Sequence, residues 1–190
     1  MSDVVVGADG RARCGWGAST PDYLDYHDNE WGRAVRDDNG LFERMCLEAF
    51  QSGLSWITIL RKRPSFRTAF AGFEIEKVAA FGESDVDRLL ADAGIVRNRA
   101  KIEASIANAR AAAELPGGIA ALLWSFAPDP RPARPSDFSQ VPAVTAESKA
   151  MAKELKKRGF RFVGPTTAYA LMQATGMVND HVAGCFVEVP

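Results

Sequence analysis

LFERMCLEAFQSGLSWITILRKR, residues 41–63, carries the clearest structural signal in the chain. Leu41, Phe42, Met45, Cys46, Ala49 and Phe50 fall at the three- and four-residue spacing of one helical face. Asp38 or Asn39 can cap its start, and Gly53 follows its end. Ser55 can open a second helical segment, WITILRKR, which Pro64 interrupts by removing a backbone donor. Outward from there the helical spacing continues. Ser84 with Asp87 resembles a capping box for a short helix ending near 93, where Gly94 fits a left-handed position. A long helix is expected over about 97–115, with Ile102, Ile106 and Ala109 on one face. Gly117-Gly118 separates it from IAALLWSF. Five prolines make 127–143 a stiff, extended loop. Thr145 can cap AESKAMAKELKKR, which Gly159 ends, and Thr166 can start TAYALMQAT, which Gly176 ends. No stretch alternates with period two. The expected fold is all-α and compact, with a flexible lead over 1–12 and one helical domain over 13–190, divisible into two lobes near 116–145.

A chain of 190 residues is long enough to bury a sizeable core. No apolar run approaches the ~20 residues a membrane helix needs, and the start lacks the pattern of a signal peptide. Three cysteines cannot all pair within the chain, so a reducing, cytoplasmic setting is expected. The net charge of −1 gives no argument for a nucleic-acid partner. It hides an asymmetry: residues 1–95 hold 11 bases and 16 acids, and residues 96–190 hold 12 and 8. One basic face is compatible with that, as is a solvated helix surface. No coiled-coil seam is evident, so a monomer is expected.

Five residue groups are candidates for chemistry. Cys14 and His27 lie near one end and His181 and Cys185 near the other. Residues four apart share a helix face, so His181 and Cys185 could address one ion. Two thiolates and two imidazoles suit tetrahedral zinc, with no position left open for catalysis. The alternative is two buried thiols and two histidines hydrogen-bonded elsewhere. Cys46 reads as a core thiol. Trp16, Tyr23, Tyr26 and Trp31 crowd a polar stretch, and Trp56 follows the 41–51 helix. Such aromatics are core, or they line a pocket for a flat ligand. Glu48 falls at the margin of the apolar face, either as a rim carboxylate paired with Arg44 or as an acceptor at the edge of that pocket. Around Gly94, the turn into Val96, Arg97, Arg99 and Lys101 can offer backbone N–H groups and positive charge to a phosphate. Lys149, Lys153, Lys156, Lys157, Arg158 and Arg161, relieved only by Glu154, form a second basic patch or a solvated face.

Taken together, RCGWG (13–17), YHDNEWG (26–32), the 41–63 stretch, AGIVRNRAKI (93–102) and KKRGFRFVGPTTAYALMQATGMVNDHVAGC (156–185) resemble the DNA-3-methyladenine glycosylase I family, colinearly from about 13 to 185. The resemblance implies a helix-hairpin-helix glycosylase that hydrolyses the N-glycosidic bond of 3-methyladenine in alkylated double-stranded DNA, releasing the base. It implies structural zinc on Cys14, His27, His181 and Cys185. It implies a base pocket of Glu48, Trp16, Tyr26, Trp31 and Trp56, with Glu48 accepting from the base. Gln51, Ser52, Gly53 and Leu54 would enter the duplex, and the hairpin of Gly94, Val96, Arg97, Arg99 and Lys101 would hold the backbone. Val96 stands where the tidy hairpin pattern has a second glycine, and the following helix holds no aspartate. That departure leaves the general base unassigned. Three rivals remain: a non-cleaving reader of damaged DNA, a glycosylase-lyase using Lys101 or another lysine, and a zinc-stabilised interaction module.

Overall fold

The computed structural model describes residues 3–189, leaving Met1, Ser2 and Pro190 outside it. The 41–63 stretch forms most of two helices, α2 (Asp38–Gln51) and α3 (Trp56–Ala69). Asp37, not Asp38 or Asn39, caps α2 by accepting from Gly40 N–H at 2.7 Å. The two expected caps serve other helices instead. Asn39 Oδ1 accepts from Ile75 N–H at 3.0 Å, at the start of α4 (Ile75–Ala79). Asp38 Oδ1 accepts from Ala120 N–H at 2.7 Å, in the first turn of α7 (Gly118–Trp124). Both satisfy donors that a helix start leaves unpaired. Pro64 sits inside α3 without ending it, since Ile59 and Leu60 before it and Phe66 and Ala69 after it are all buried. Tertiary packing outweighs the missing donor there.

The core forms where these helices meet. Phe50 of α2 packs on Phe66 (ring centroids 4.7 Å apart) and Phe70 (5.8 Å), and Phe70 stacks on Phe73 (5.4 Å). All four rings are fully buried, each contributing about 1.5–3 kcal/mol of transfer free energy. α4 lies along α6 (Arg99–Ala113), and α8 (Ala146–Lys157) packs on α9 (Pro165–Ala174), which in turn covers α2. Thr145 caps α8 as expected, while α9 starts at Pro165 behind Gly164.

The hairpin between α5 (Glu83–Ala91) and α6 is shorter-armed than the sequence predicts. Gly82 caps α5 and donates its N–H to Asp85 Oδ2 at 3.0 Å, displacing the Ser84–Asp87 box. Gly94 does not take the left-handed conformation. Its N–H donates to Asp92 Oδ1 at 2.7 Å, and an added Cβ would press on Ser65 at 3.0 Å, so close approach explains the glycine. Asn98 caps α6 by accepting from Lys101 N–H at 3.1 Å.

Two features depart from an all-helical chain with a loose lead. β1 (Val4–Val6) pairs antiparallel with β2 (Ala12–Cys14), and Asp3 Oδ1 accepts from Phe138 N–H at 2.9 Å. Residues 3–12, expected to be flexible, are therefore tied down; three-residue strands are too short to show alternation. His181 and Cys185 lie on a turn closed by Cys185 N–H to Val182 O at 3.0 Å, not on a helix. Among the described residues no helix is long and apolar enough to cross a membrane.

Candidate active site and metal centre

Chain ends meet at the cysteines and histidines. Cys14 on β2, His27 on α1 (Pro21–Asn29) and His181 and Cys185 on the C-terminal turn are all buried, their ligand atoms within 4.8 Å of one another. Cys185 Sγ lies 3.5 Å from His27 Nε2 and 3.6 Å from His181 Nδ1, and Cys14 Sγ lies 3.8 Å from His181 Nδ1. These are the edges of a tetrahedron with bonds of about 2.0–2.3 Å, as sulfur and imidazole ligands make to a small dication. The outer contacts fix both tautomers. His27 Nδ1 lies 2.8 Å from Asp28 Oδ1, leaving Nε2 toward the sulfurs. His181 Nε2 lies 3.1 Å from Trp31 O, leaving Nδ1. Arg13 donates to Asp28 from Nε at 3.0 Å and Nη2 at 2.8 Å. Against its burial, Arg13 and His27 hold the Asp28 carboxyl below the usual range. Side by side, Cys14 is pushed up by Cys185, and Cys185 is pulled down by Cys14. A dication would take both as thiolates. The residues present thus fit a metal ion with a saturated ligand set. Gly17 is required here, because a Cβ would meet the His27 ring at 2.5 Å.

Directly above lies a cavity of about 360 Å³. Trp16, Tyr26, Trp31, Trp56 and Glu48 all line it, joined by Tyr23, Gln51 and Gln173. Trp16 meets Trp31 edge-on at 5.0 Å and Tyr23 at 5.6 Å, while Tyr26 leans on Trp56 at 5.5 Å. The wall rests on the metal-site residues: Trp31 touches the His181 ring at 4.7 Å, and Trp16 the His27 ring at 5.2 Å. Trp56 Nε1 is buried with no hydrogen-bond partner.

Glu48 is only 7 % exposed, and no hydrogen bond from the described residues reaches its carboxyl. Of the two readings, the pairing with Arg44 is absent: Arg44 Nη2 donates to Glu30 at 2.8 Å, and Arg63 takes both oxygens of Glu30 at 2.6 Å. Burial pushes Glu48 up to about 8, opposed by the charge of Arg44. A group poised there takes or gives a proton near neutrality.

At the cavity rim α2 ends. Gly53 (φ +81°) turns the chain, and Leu54 N–H donates to Gln51 O at 2.6 Å. Ser52 and Gly53 are exposed, and Leu54 stands 42 % exposed on this rigid corner. Lys101 belongs here, not on the phosphate-facing surface. It is buried, with Nζ donating to Phe50 O at 2.9 Å and Ser52 O at 2.5 Å. It terminates α2 by filling carbonyls that the helix leaves open. Lys101→Met should therefore slacken the 51–54 corner: amide exchange at Gly53 and Leu54 should accelerate at least tenfold while the rest of α6 holds. Unchanged exchange there would contradict this role.

The hairpin residues divide. Arg97 is exposed and makes no ion pair among the described residues. Arg99 is committed to Glu83 (2.8 Å), Glu103 (3.2 Å) and Asp87 (3.3 Å), so its charge is largely neutralised locally. Val96 packs partly against the core, and Gly94 O accepts from Lys62 Nζ at 3.2 Å. In the second basic patch, Lys157 and Arg158 pair with Glu154, and Lys149, Lys153, Lys156 and Arg161 line a separate groove. Several supporting residues escaped the sequence reading. Asp28 was marked only by its place beside His27. Arg134, which donates to the carbonyls of His181 (2.9 Å), Val182 (2.8 Å) and Cys185 (2.9 Å), carried no local signal inside its proline-rich loop.

Comparison with known proteins agrees with this geometry. Residues 16–188 match the model of the methyladenine glycosylase family. DNA-3-methyladenine glycosylase 1 of Escherichia coli strain K12 is 50 % identical over 177 residues, covering 91 % of this chain and 95 % of that protein. A crystal structure of 3-methyladenine DNA glycosylase I superposes with a TM-score of 0.88 at 48 % identity, over 93 % of this chain and 99 % of that one. A variant of 3-methyladenine DNA glycosylase I solved in complex with 3-methyladenine is 34 % identical, with a TM-score of 0.87 over 92 % of this chain and 96 % of its own. On the match to the family model, the identity to its curated relatives and the shared fold, this chain belongs to the methyladenine glycosylase family.

Proposed function

We propose that this chain excises 3-methyladenine from alkylated double-stranded DNA, hydrolysing the N-glycosidic bond and leaving an abasic site. The observation that carries this reading is Glu48: a buried carboxyl without a hydrogen-bond partner, in the wall of an aromatic cavity. Its relatives' names and the 3-methyladenine complex of one similar structure support it.

The chemistry follows from the substrate. Methylation at the position-3 nitrogen makes the adenine cationic. The C1′–N9 bond then breaks with its electron pair going to the ring, which leaves as a neutral base. Water adds to the oxocarbenium-like sugar and releases a proton. Because the leaving group is already good, the protein chiefly selects and extrudes the base. Extrusion costs a few kcal/mol. Leu54, with Gln51, Ser52 and Gly53, fills the gap in the duplex, on a corner stiffened by Lys101. Trp16, Tyr26, Trp31 and Trp56 stack on the extruded ring, and Glu48 accepts from its amino group. The hairpin turn of Gly94 and Val96 places exposed Arg97, with Arg99 beside it and the opening N–H groups of α6, toward the DNA backbone, where Arg97 supplies most of the free charge because Arg99 is paired within the protein.

Cys14, His27, His181 and Cys185 hold a structural zinc ion, whose chemistry is to neutralise two thiolates and join the chain ends behind the cavity. The protein acts as a monomer in the reducing cytoplasm, where its thiols persist. Abasic sites should appear in a methylated duplex, read as strand breaks after alkali; intact strands with folded protein would favour a non-cleaving reader. Trp56→Ala should weaken binding of free 3-methyladenine about tenfold or more while changing affinity for undamaged duplex less than twofold. Equal losses would move Trp56 from the pocket to the general framework.

A further inference from the structure

One polar pair beside the cavity is unused by this mechanism. Gln173, on α9, lines the cavity. Its Nε2 donates to Asp180 Oδ2 at 2.7 Å, and the same oxygen receives the Tyr169 hydroxyl at 2.6 Å. Asp180 and Tyr169 are both buried. One oxygen of Asp180 accepts from both side chains, so the Gln173 amide nitrogen faces Asp180 and its oxygen faces away. Gln173 Oε1 has no hydrogen-bond partner among the described residues. A cavity-lining side chain thus keeps one acceptor, in addition to Glu48, that no group of the described residues uses.

What such an acceptor can read is limited by elementary chemistry. Adenine methylated at position 3 and still joined to its sugar has N–H groups only on the 6-amino substituent. Its two hydrogens diverge, so two acceptors can each take one. A purine with oxygen at position 6 presents an acceptor where the wall also presents one. Glu48 alone would discriminate poorly, because a carboxyl pushed up to about 8 can carry a proton and donate to that oxygen. Gln173 Oε1 has no such option while Asp180 holds the amide. We propose that Gln173 Oε1, oriented by Asp180, is a specificity-determining acceptor that reads the 6-amino group and disfavours 3-methylated purines bearing oxygen at position 6. Asp180 is then a positioning residue. The proposal rests on the reading of the cavity as a 3-methyladenine site.

The test compares two free bases, 3-methyladenine and 3-methylhypoxanthine, on metal-loaded protein by quenching of tryptophan fluorescence. The wild type should prefer the amino base by about tenfold or more. Gln173→Leu should weaken 3-methyladenine about fivefold and leave 3-methylhypoxanthine within twofold. Asp180→Asn should shift the ratio in the same direction, because the Gln173 amide is then free to turn its NH₂ toward the cavity. Metal content, measured alongside, should equal the wild type in both variants. Equal loss of both ligands, or an unchanged ratio in both variants, would overturn the assignment while leaving the pocket intact. If wild-type protein bound neither base, the pocket reading would fall, and this proposal with it.

Discussion

Cys185→Ala is expected to abolish stoichiometric metal binding and to lower Tm by about 10–15 °C. The site joins Cys14 to His181, 167 residues apart, so an ion there closes a loop nearly as long as the chain. Removing a cross-link over so long a loop costs about 4–5 kcal/mol in the chain-entropy model, and 1 kcal/mol is roughly 2–4 °C at this size. The loss should reach the cavity as well. His181 Nε2 is tied to the Trp31 carbonyl and its ring packs on Trp31, so an unanchored His181 frees one cavity wall. Chelator-treated wild type should reproduce the lowered Tm, and Cys185→His, which restores a nitrogen ligand, should recover part of it. Full metal content with unchanged melting in Cys185→Ala would remove the site.

The second large effect belongs to Glu48→Gln. Glutamine keeps an acceptor of similar shape but loses the charge, and a hydrogen bond to a charged group is worth about 1.5–3 kcal/mol. A fall of about 10- to 150-fold in kcat/KM for 3-methyladenine release is expected. The pH dependence gives the sharper signature. Burial raises the Glu48 carboxyl to about 8 in the free protein. The charged form needed to attract a cationic base is therefore depleted as pH falls below that value. Wild-type kcat/KM should decline on the acid side by up to about tenfold per pH unit, and Glu48→Gln should lack this limb. Stability runs the other way. A carboxyl whose folded value is raised favours folding fully below its unfolded value of about 4.3, and that advantage is lost as pH rises through about 8. Glu48→Gln should accordingly be relatively more stable at pH 8.5 than at pH 5, a reversal that a simple loss of packing would not produce.

The helices were legible because burial of one face imposes a periodicity that the residue types display. Leu41, Phe42, Met45, Cys46, Ala49 and Phe50 are buried as the spacing places them, and Leu47 and Glu48 beside that face are buried as well. Cap identity was less legible. Asp37, Asp38 and Asn39 are all competent caps, and only the third dimension shows that the last two bond to α7 and α4. The hairpin 3–14 was invisible because three-residue strands have no period to read. His181 and Cys185 were paired for a helical reason and meet through a turn. Lys101 shows the same limit in another form. A lysine beside a basic hairpin reads as a surface cation, yet the carbonyls it serves belong to residues about fifty positions earlier in the chain. Gln173 and Asp180 likewise matter through a contact across a loop, and nothing local marks either residue.

The most direct test of the account is chromatography of the bases released from a methylated duplex by metal-loaded protein. Free 3-methyladenine is expected as the main product, with Glu48→Gln releasing it at least tenfold more slowly. Folded, metal-replete protein that binds the duplex and releases no base would contradict it.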